Sequence, residues 1–195
     1  MRLSNLSKIF FLSLFLVIGC VTAVKNEEAK HTPIKNFGFG EEPSKEILKS
    51  WSISIPPDGE NLPAGKGTFL QGKELYFQQC AACHGVSMEG SKEISAPALK
   101  GGRGSLTSQK PLKTIESYWP FATTLFDYIR RAMPFGAPGN LATDEIYSLC
   151  AYILGEGGIH PVNQDLTREK LMKITMPNRS GFIEKKENRK KYGFF

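Results

Sequence analysis

Five consecutive residues, Cys80-Ala81-Ala82-Cys83-His84, set two thiols and an imidazole at a spacing that attaches haem covalently. In a C-x-x-C-H run each thiol forms a thioether with a porphyrin vinyl group, and the adjacent histidine becomes the proximal iron ligand. On a helical turn, residues three apart are neighbours on one face, so both sulfurs reach the same porphyrin edge while the next residue turns under the iron. A bare C-x-x-C would also suit a zinc half-site, a redox dithiol or a structural disulfide. Zinc wants a second pair of ligands, and a thioredoxin-like dithiol wants a βαβ pattern. The chain offers neither. The cofactor implied is one covalent haem c, bound through Cys80 and Cys83 with His84 on the iron.

Past His84 the chain is rich in glycine and small residues as far as Pro97-Ala98-Leu99, a loop able to pass close to a flat cofactor. One of its carbonyls is expected to accept the His84 Nδ1 proton, which fixes the ring and makes the imidazole a better donor to iron. For the opposite face the leading candidate is Met133, set directly before Pro134 at the end of a helical pattern. A thioether ligand raises the haem potential by favouring ferrous iron. Met133 as a gap-filling core residue, Met176 as the ligand, and a second imidazole from His31 or His160 stay open. Met88 follows His84 too closely to reach the other face, and Met172 lies in the C-terminal tail. His160, just before Pro161, reads as solvent-facing or structural. Cys150, within the apolar stretch Ile146 to Leu154, reads as packing.

The elements that must position these groups are mainly helical. Thr68 to Cys80 forms a helix with Phe69, Leu75, Tyr76 and Gln79 near one face. Lys113 to Tyr118 suggests a short helix, and Phe121 to Arg131 a longer one, with Phe121, Leu125, Tyr128 and Ile129 at helical spacing. Thr143 is a good N-cap, followed by Asp144 and Glu145 to complement the helix dipole. Ile146, Leu149, Cys150 and Ile153 then mark an apolar face that Gly155, Gly157 and Gly158 bring to an end. This last helix should cross the first beside the haem. Nearer the N-terminus, Ser44 to Ser50 suits a helical turn or two, and Trp51-Ser52-Ile53-Ser54-Ile55 alternates as an extended strand would, ended by the turn residues Pro56-Pro57-Asp58-Gly59.

These readings divide the chain into five parts. Residues 1–19 read as a lipoprotein signal peptide: Arg2 and Lys8 precede an apolar run from Ile9 to Ile18 that is too short to span a bilayer. Val17-Ile18-Gly19-Cys20 resembles the box at which such a signal is cleaved, leaving Cys20 as the lipidated N-terminus. Residues 20–32 suit a flexible tether. Residues 33–67 carry too few apolar side chains for a core of their own and are expected as an ordered arm packing on the haem domain, with a docking role as the alternative. The cytochrome domain would occupy 68–160, and a C-terminal extension 161–195. Residues 20–167 hold 14 basic and 16 acidic side chains, whereas residues 168–195 hold nine and three, so the basic excess sits in the tail. Such a tail suits an acidic partner, an anionic membrane surface or simple solvation. No nucleic-acid reading fold accompanies it.

Between Phe37 and Phe182 the chain resembles the cytochrome c subunits of bacterial sulfite dehydrogenases and of the related sulfur dehydrogenase. The stretches that carry the resemblance are Trp51 to Ile55 with Pro57-Asp58-Gly59, Gly72 to Tyr76, Ser117 to Pro134, and Met176 to Phe182. It implies a class I cytochrome c fold with His84 and Met133 as axial ligands. It also implies Pro97 and Leu99 on the proximal side, and Arg103, Tyr118 and Trp119 near the haem rim or propionates. A molybdenum-containing sulfite dehydrogenase subunit is the implied electron donor, and a downstream cytochrome or oxidase the acceptor. A lipobox departs from the soluble subunits of that group and points to periplasmic or extracytoplasmic anchoring on a membrane.

Three classes of function fit these residues. An electron carrier needs both axial positions filled; a peroxidase or ligand sensor needs a labile sixth position; a docking module would use haem for assembly. The expectation is a carrier without catalysis of its own, with a generic exported carrier for another dehydrogenase as the runner-up.

Overall fold

The computed structural model describes residues 38–182, and the chain divides at Pro43 into two units. Of the first unit the description covers residues 38–43, which are exposed and form no helix or strand. The signal and lipobox with Cys20, the tether with His31, and the basic run from Lys185 to Lys191 lie outside the described residues.

From Ser44 the chain is mainly α. It runs through α1 (Lys45–Trp51), β1 (Lys66–Gly67), α2 (Phe69–Gln79), α3 (Ala81–His84), α4 (Ala122–Ala132), α5 (Thr143–Glu156), β2 (Leu166–Thr167) and α6 (Arg168–Lys173). The start of α2 is fixed locally. Thr68 Oγ1 accepts from the Gln71 amide at 3.2 Å while the Gln71 side-chain carbonyl accepts from the Thr68 amide at 3.3 Å, so two otherwise orphaned donors are satisfied together. At its other end α2 stops on Cys80, whose φ of −120° breaks the helix, and α3 begins at the next residue.

Two glycines decide how α2 meets α5. A Cβ on Gly72 would lie 1.8 Å from the Ser148 carbonyl oxygen, and one on Gly67 would lie 2.1 Å from the Ser148 amide nitrogen. Backbone therefore lies directly on backbone, and the aromatic rings around the crossing close in: Tyr152 meets Phe69 at 5.1 Å and Tyr76 at 5.3 Å between ring centroids. Tyr76, Phe126, Tyr147, Cys150 and Leu154 are fully buried around this crossing. The helices cross as the apolar faces predict. Beyond α5 the chain returns: β2 pairs antiparallel with β1, Gly67 opposite Leu166, and Leu166, Leu171 and Met176 enter the same core as Ile55 and Leu62.

Four local expectations are corrected. Trp51 ends α1, and residues 52–56 form no strand. Trp51 is helical and the Ile53 amide turns back to the Trp51 carbonyl at 2.9 Å, and further on the Ile55 amide donates to Asp127 Oδ1 at 2.8 Å instead of to a neighbouring strand. Lys113 to Tyr118 makes one turn and no helix, because Thr114 and Ser117 side chains capture the local backbone groups: the Ser117 amide donates to Thr114 Oγ1 at 3.2 Å and the Thr114 amide to Ser117 Oγ at 2.9 Å. The N-cap of α5 is Ala142, one residue earlier than Thr143, since the Glu145 carboxylate accepts from the Ala142 amide at 2.8 Å. His160 is buried, its Nε2 3.0 Å from the Gln164 carbonyl, which leaves the structural reading and removes the solvent-facing one. Gln79, on the fringe of the α2 face, is exposed.

Candidate haem site

The site is built where α2 gives way to α3. The Cys80 amide donates to the Tyr76 carbonyl at 2.8 Å, closing α2, and the His84 amide donates to the Cys80 carbonyl at 2.9 Å, opening α3. Cys80 and Cys83 thus sit at the two ends of one helical turn, Cys80 half-buried and Cys83 exposed. Burial, with Cys83 adding to it, pushes the Cys80 thiol up to about 11, so before attachment it is protonated at neutral pH.

His84 is held through its ring. Nδ1 lies 2.9 Å from the Pro97 carbonyl oxygen; a carbonyl only accepts, so Nδ1 carries the proton and Nε2 keeps the lone pair that a metal needs. The carbonyl that sequence left unchosen is that of Pro97. The loop carrying it is closed by the Gly90 amide donating to the His84 carbonyl at 2.8 Å and by the Leu99 amide donating to the Met88 carbonyl at 2.9 Å. Gly90 has a φ of +78°, and a Cβ there would lie 2.5 Å from the Ala98 amide nitrogen, so glycine is required for the loop to fold back on itself. Leu99, half-buried, packs against the core. Tyr76 adds a support from below: its ring is fully buried and its hydroxyl donates to the Gly85 carbonyl, one residue past His84, at 2.7 Å.

Met133 caps α4 in an extended conformation, half-buried against the core, its amide donating to the Ile129 carbonyl at 3.1 Å. Met88 and Met176 are each 1% exposed, and Met172 lies on the surface beside Gly59. Arg103 is exposed; its Nη2 donates to the Gly157 carbonyl and its Nε lies 3.7 Å from Glu116. Tyr118 meets the Phe182 ring at 5.2 Å, and Trp119 meets Tyr128 edge-on at 5.7 Å. Tyr118 and Trp119 line a shallow concavity of about 310 Å³ together with Pro120, Thr124, Asp127 and Tyr128.

The cytochrome c family model matches residues 69–155, a span running from the first residue of α2 almost to the end of α5. A chain in the crystal structure of the sulfane dehydrogenase SoxCD from Paracoccus pantotrophus is 38% identical, with a TM-score of 0.70 over 80% of this chain and 76% of that one. This chain belongs to the cytochrome c family. A thiosulfate dehydrogenase from Stutzerimonas stutzeri (strain A1501) is 27% identical over 116 residues, which cover 53% of this cytochrome and 35% of that protein. The cytochrome therefore spans about a third of the length of that curated relative.

The residues fit the haem c that the family carries. Two thiols lie one turn apart, and an imidazole has its proton committed to a backbone carbonyl, which leaves one nitrogen for iron. A haem so held would supply a one-electron iron couple. Sequence reasoning passed over Gly72 and Tyr76 as parts of the site's support. Their signal was present: a glycine inside a helical pattern four residues before a tyrosine marks a close contact more readily than a turn. Asp127 gave no such signal, since a lone carboxylate on a helix ordinarily faces water.

Proposed function

We propose that this cytochrome c is a monohaem electron carrier for a molybdenum-containing subunit that oxidises sulfite or a protein-bound sulfur species. The observation that carries this reading is the likeness to a sulfane dehydrogenase chain at 38% identity, extending over 80% of the cytochrome and so beyond the haem-binding helices. His84 and Met133 would hold the iron from its two faces. In that role the Pro97 carbonyl keeps the His84 proton on Nδ1, the thioether of Met133 favours the reduced state, and neither axial position is left for substrate. A two-electron oxidation at the partner would then be relayed as two single electrons, each passed on to a downstream cytochrome or oxidase. His160 is a poor competitor for the sixth position, being buried with Nε2 bonded to the Gln164 carbonyl.

The deciding experiment is purification from the native membrane under mild detergent, with molybdenum measured in the complex and the haem spectrum followed after sulfite is added. Molybdenum in proportion to haem, with reduction on adding sulfite, is the expected result. A molybdenum-free complex with another dehydrogenase would return the chain to a generic exported carrier, and immediate carbon monoxide binding would favour a peroxidase or sensor.

Among the described residues no helix is long and apolar enough to cross a membrane. We assign the attachment to lipid on Cys20, with the body of the protein in the periplasm. This has a simple consequence for thiols. Cys150 is fully buried and its thiol is pushed far up by burial, so it is inert in the folded state. With Cys80 and Cys83 in thioethers and Cys20 acylated, thiol titration of the mature holoprotein should find no reactive group natively and one after denaturation. A thiol that reacts in the native protein would mean that Cys20 is free and unlipidated.

A further inference from the structure

Residues 53–57 lie along α4, and the helix supplies what a neighbouring strand would have supplied. Thr123 Oγ1 donates to the Pro57 carbonyl at 3.0 Å, Asp127 Oδ1 accepts from the Ile55 amide at 2.8 Å, and Arg130 Nη1 donates to the Ile53 carbonyl at 3.4 Å. Steps of four and three put these side chains on one stripe of the helix. Their partners descend by two along the arm, so the arm runs antiparallel to α4 and offers it alternate residues. A second stripe, Ala122, Leu125, Phe126 and Ile129, is buried in the core, while Tyr128 and Arg131 are exposed. Asp127 itself is only 7% exposed, and it also accepts from Arg131 Nε at 3.0 Å and from Arg131 Nη2. One carboxylate thus joins the arm to the last turn of α4, two residues before Met133.

An eleven-residue helix is marginal by itself, and its last turn, with carbonyls unsatisfied, is where it frays. Met133 depends on that turn, because its amide bonds back to Ile129. We propose that Asp127 is a positioning residue: by fastening the arm to the last turn of α4 it keeps Met133 on the iron, and loosening this strap opens the sixth position. The proposal rests on the reading of Met133 as the axial ligand. An added ligand binds only while Met133 is off, so its apparent affinity rises in proportion to the fraction of molecules in the open state.

The test is made on the ferric holoprotein, reading the thioether-to-iron charge-transfer absorption and the affinity for imidazole. Asp127→Ala is expected to weaken the absorption and to raise imidazole affinity about tenfold or more, the factor set by losing a buried hydrogen bond to a charged acceptor. Thr123→Val should shift both in the same direction by less, since its bond lies about one turn further from Met133. Asp127→Asn keeps an oxygen for the Ile55 amide and should fall between wild type and Asp127→Ala. Leu166→Ala, which hollows the core beneath β2, should lower the unfolding midpoint while leaving imidazole affinity within about twofold of wild type; a merely structural role for Asp127 would look the same. If Asp127→Ala and Thr123→Val both retain wild-type absorption and affinity, the strap is overturned while Met133 ligation stands. If the wild-type protein lacks the absorption, Met133 ligation fails and the strap with it. Should Asp127→Ala not fold, Thr123→Val and Asp127→Asn decide the matter.

Discussion

Gly72→Ala is expected to destabilise the folded holoprotein by at least about 3 kcal/mol, beyond the usual range for a single added methyl group. The added carbon would sit 1.8 Å from the Ser148 carbonyl oxygen and 2.9 Å from Tyr152 Cβ, and the first of these neighbours is backbone that no rotamer change can move. Relief requires α2 and α5 to separate. That would unpack Phe69 and Tyr76 from Tyr152 and loosen the hydroxyl contact from Tyr76 to Gly85. Denaturant unfolding followed by the haem Soret band measures the cost. Gly136→Ala is the matching control: a Cβ there meets nothing within 4 Å and its φ is not positive, so the change should stay within about 0.5 kcal/mol of wild type. A Gly72→Ala protein as stable as that control would mean that the two helices do not touch as described.

Met133→Ala should leave haem covalently attached, because Cys80, Cys83 and His84 are untouched, yet change its chemistry. The expected results are loss of the thioether-to-iron absorption, rapid binding of carbon monoxide by the reduced protein, and a fall in reduction potential. Axial ligation moves haem potentials over roughly 0.8 V in all, and exchanging a thioether for water is expected to use on the order of 0.1 V or more of that range. Haem staining after denaturing electrophoresis verifies attachment, and potentiometric titration measures the fall. A variant with an unchanged potential and absorption would show that another residue holds the sixth position.

Helical periodicity and covalent chemistry were readable because both are local. Cys80, Cys83 and His84 lie within five residues, so their partnership needs no knowledge of the fold, and α2, α4 and α5 announce themselves through apolar spacing that the core largely buries, although Tyr128 of the α4 face is exposed. Errors arose where a local pattern had more than one physical completion. Alternation from Trp51 to Ile55 suits an extended strand, but Trp51 is helical and a strand needs a partner, and the donor and acceptor groups found theirs on the side chains of α4. Helical spacing from Lys113 to Tyr118 competed with hydroxyls at Thr114 and Ser117 that satisfy the same backbone groups, and the hydroxyls won.

By itself the sequence determined that one haem c is bound and by which thiols, since that depends on residue identity and a spacing of a few residues along one turn. Only the tertiary structure decided which carbonyl holds the His84 proton, why Gly72 cannot be anything larger, and that a buried carboxylate at position 127 ties the arm to the helix ending in Met133. Those contacts join residues 13, 76 and 72 positions apart. Distance along the chain carries no information about such meetings; they are set by how two helix faces and one loop exclude water together, which is a property of the packed core and not of any segment within it.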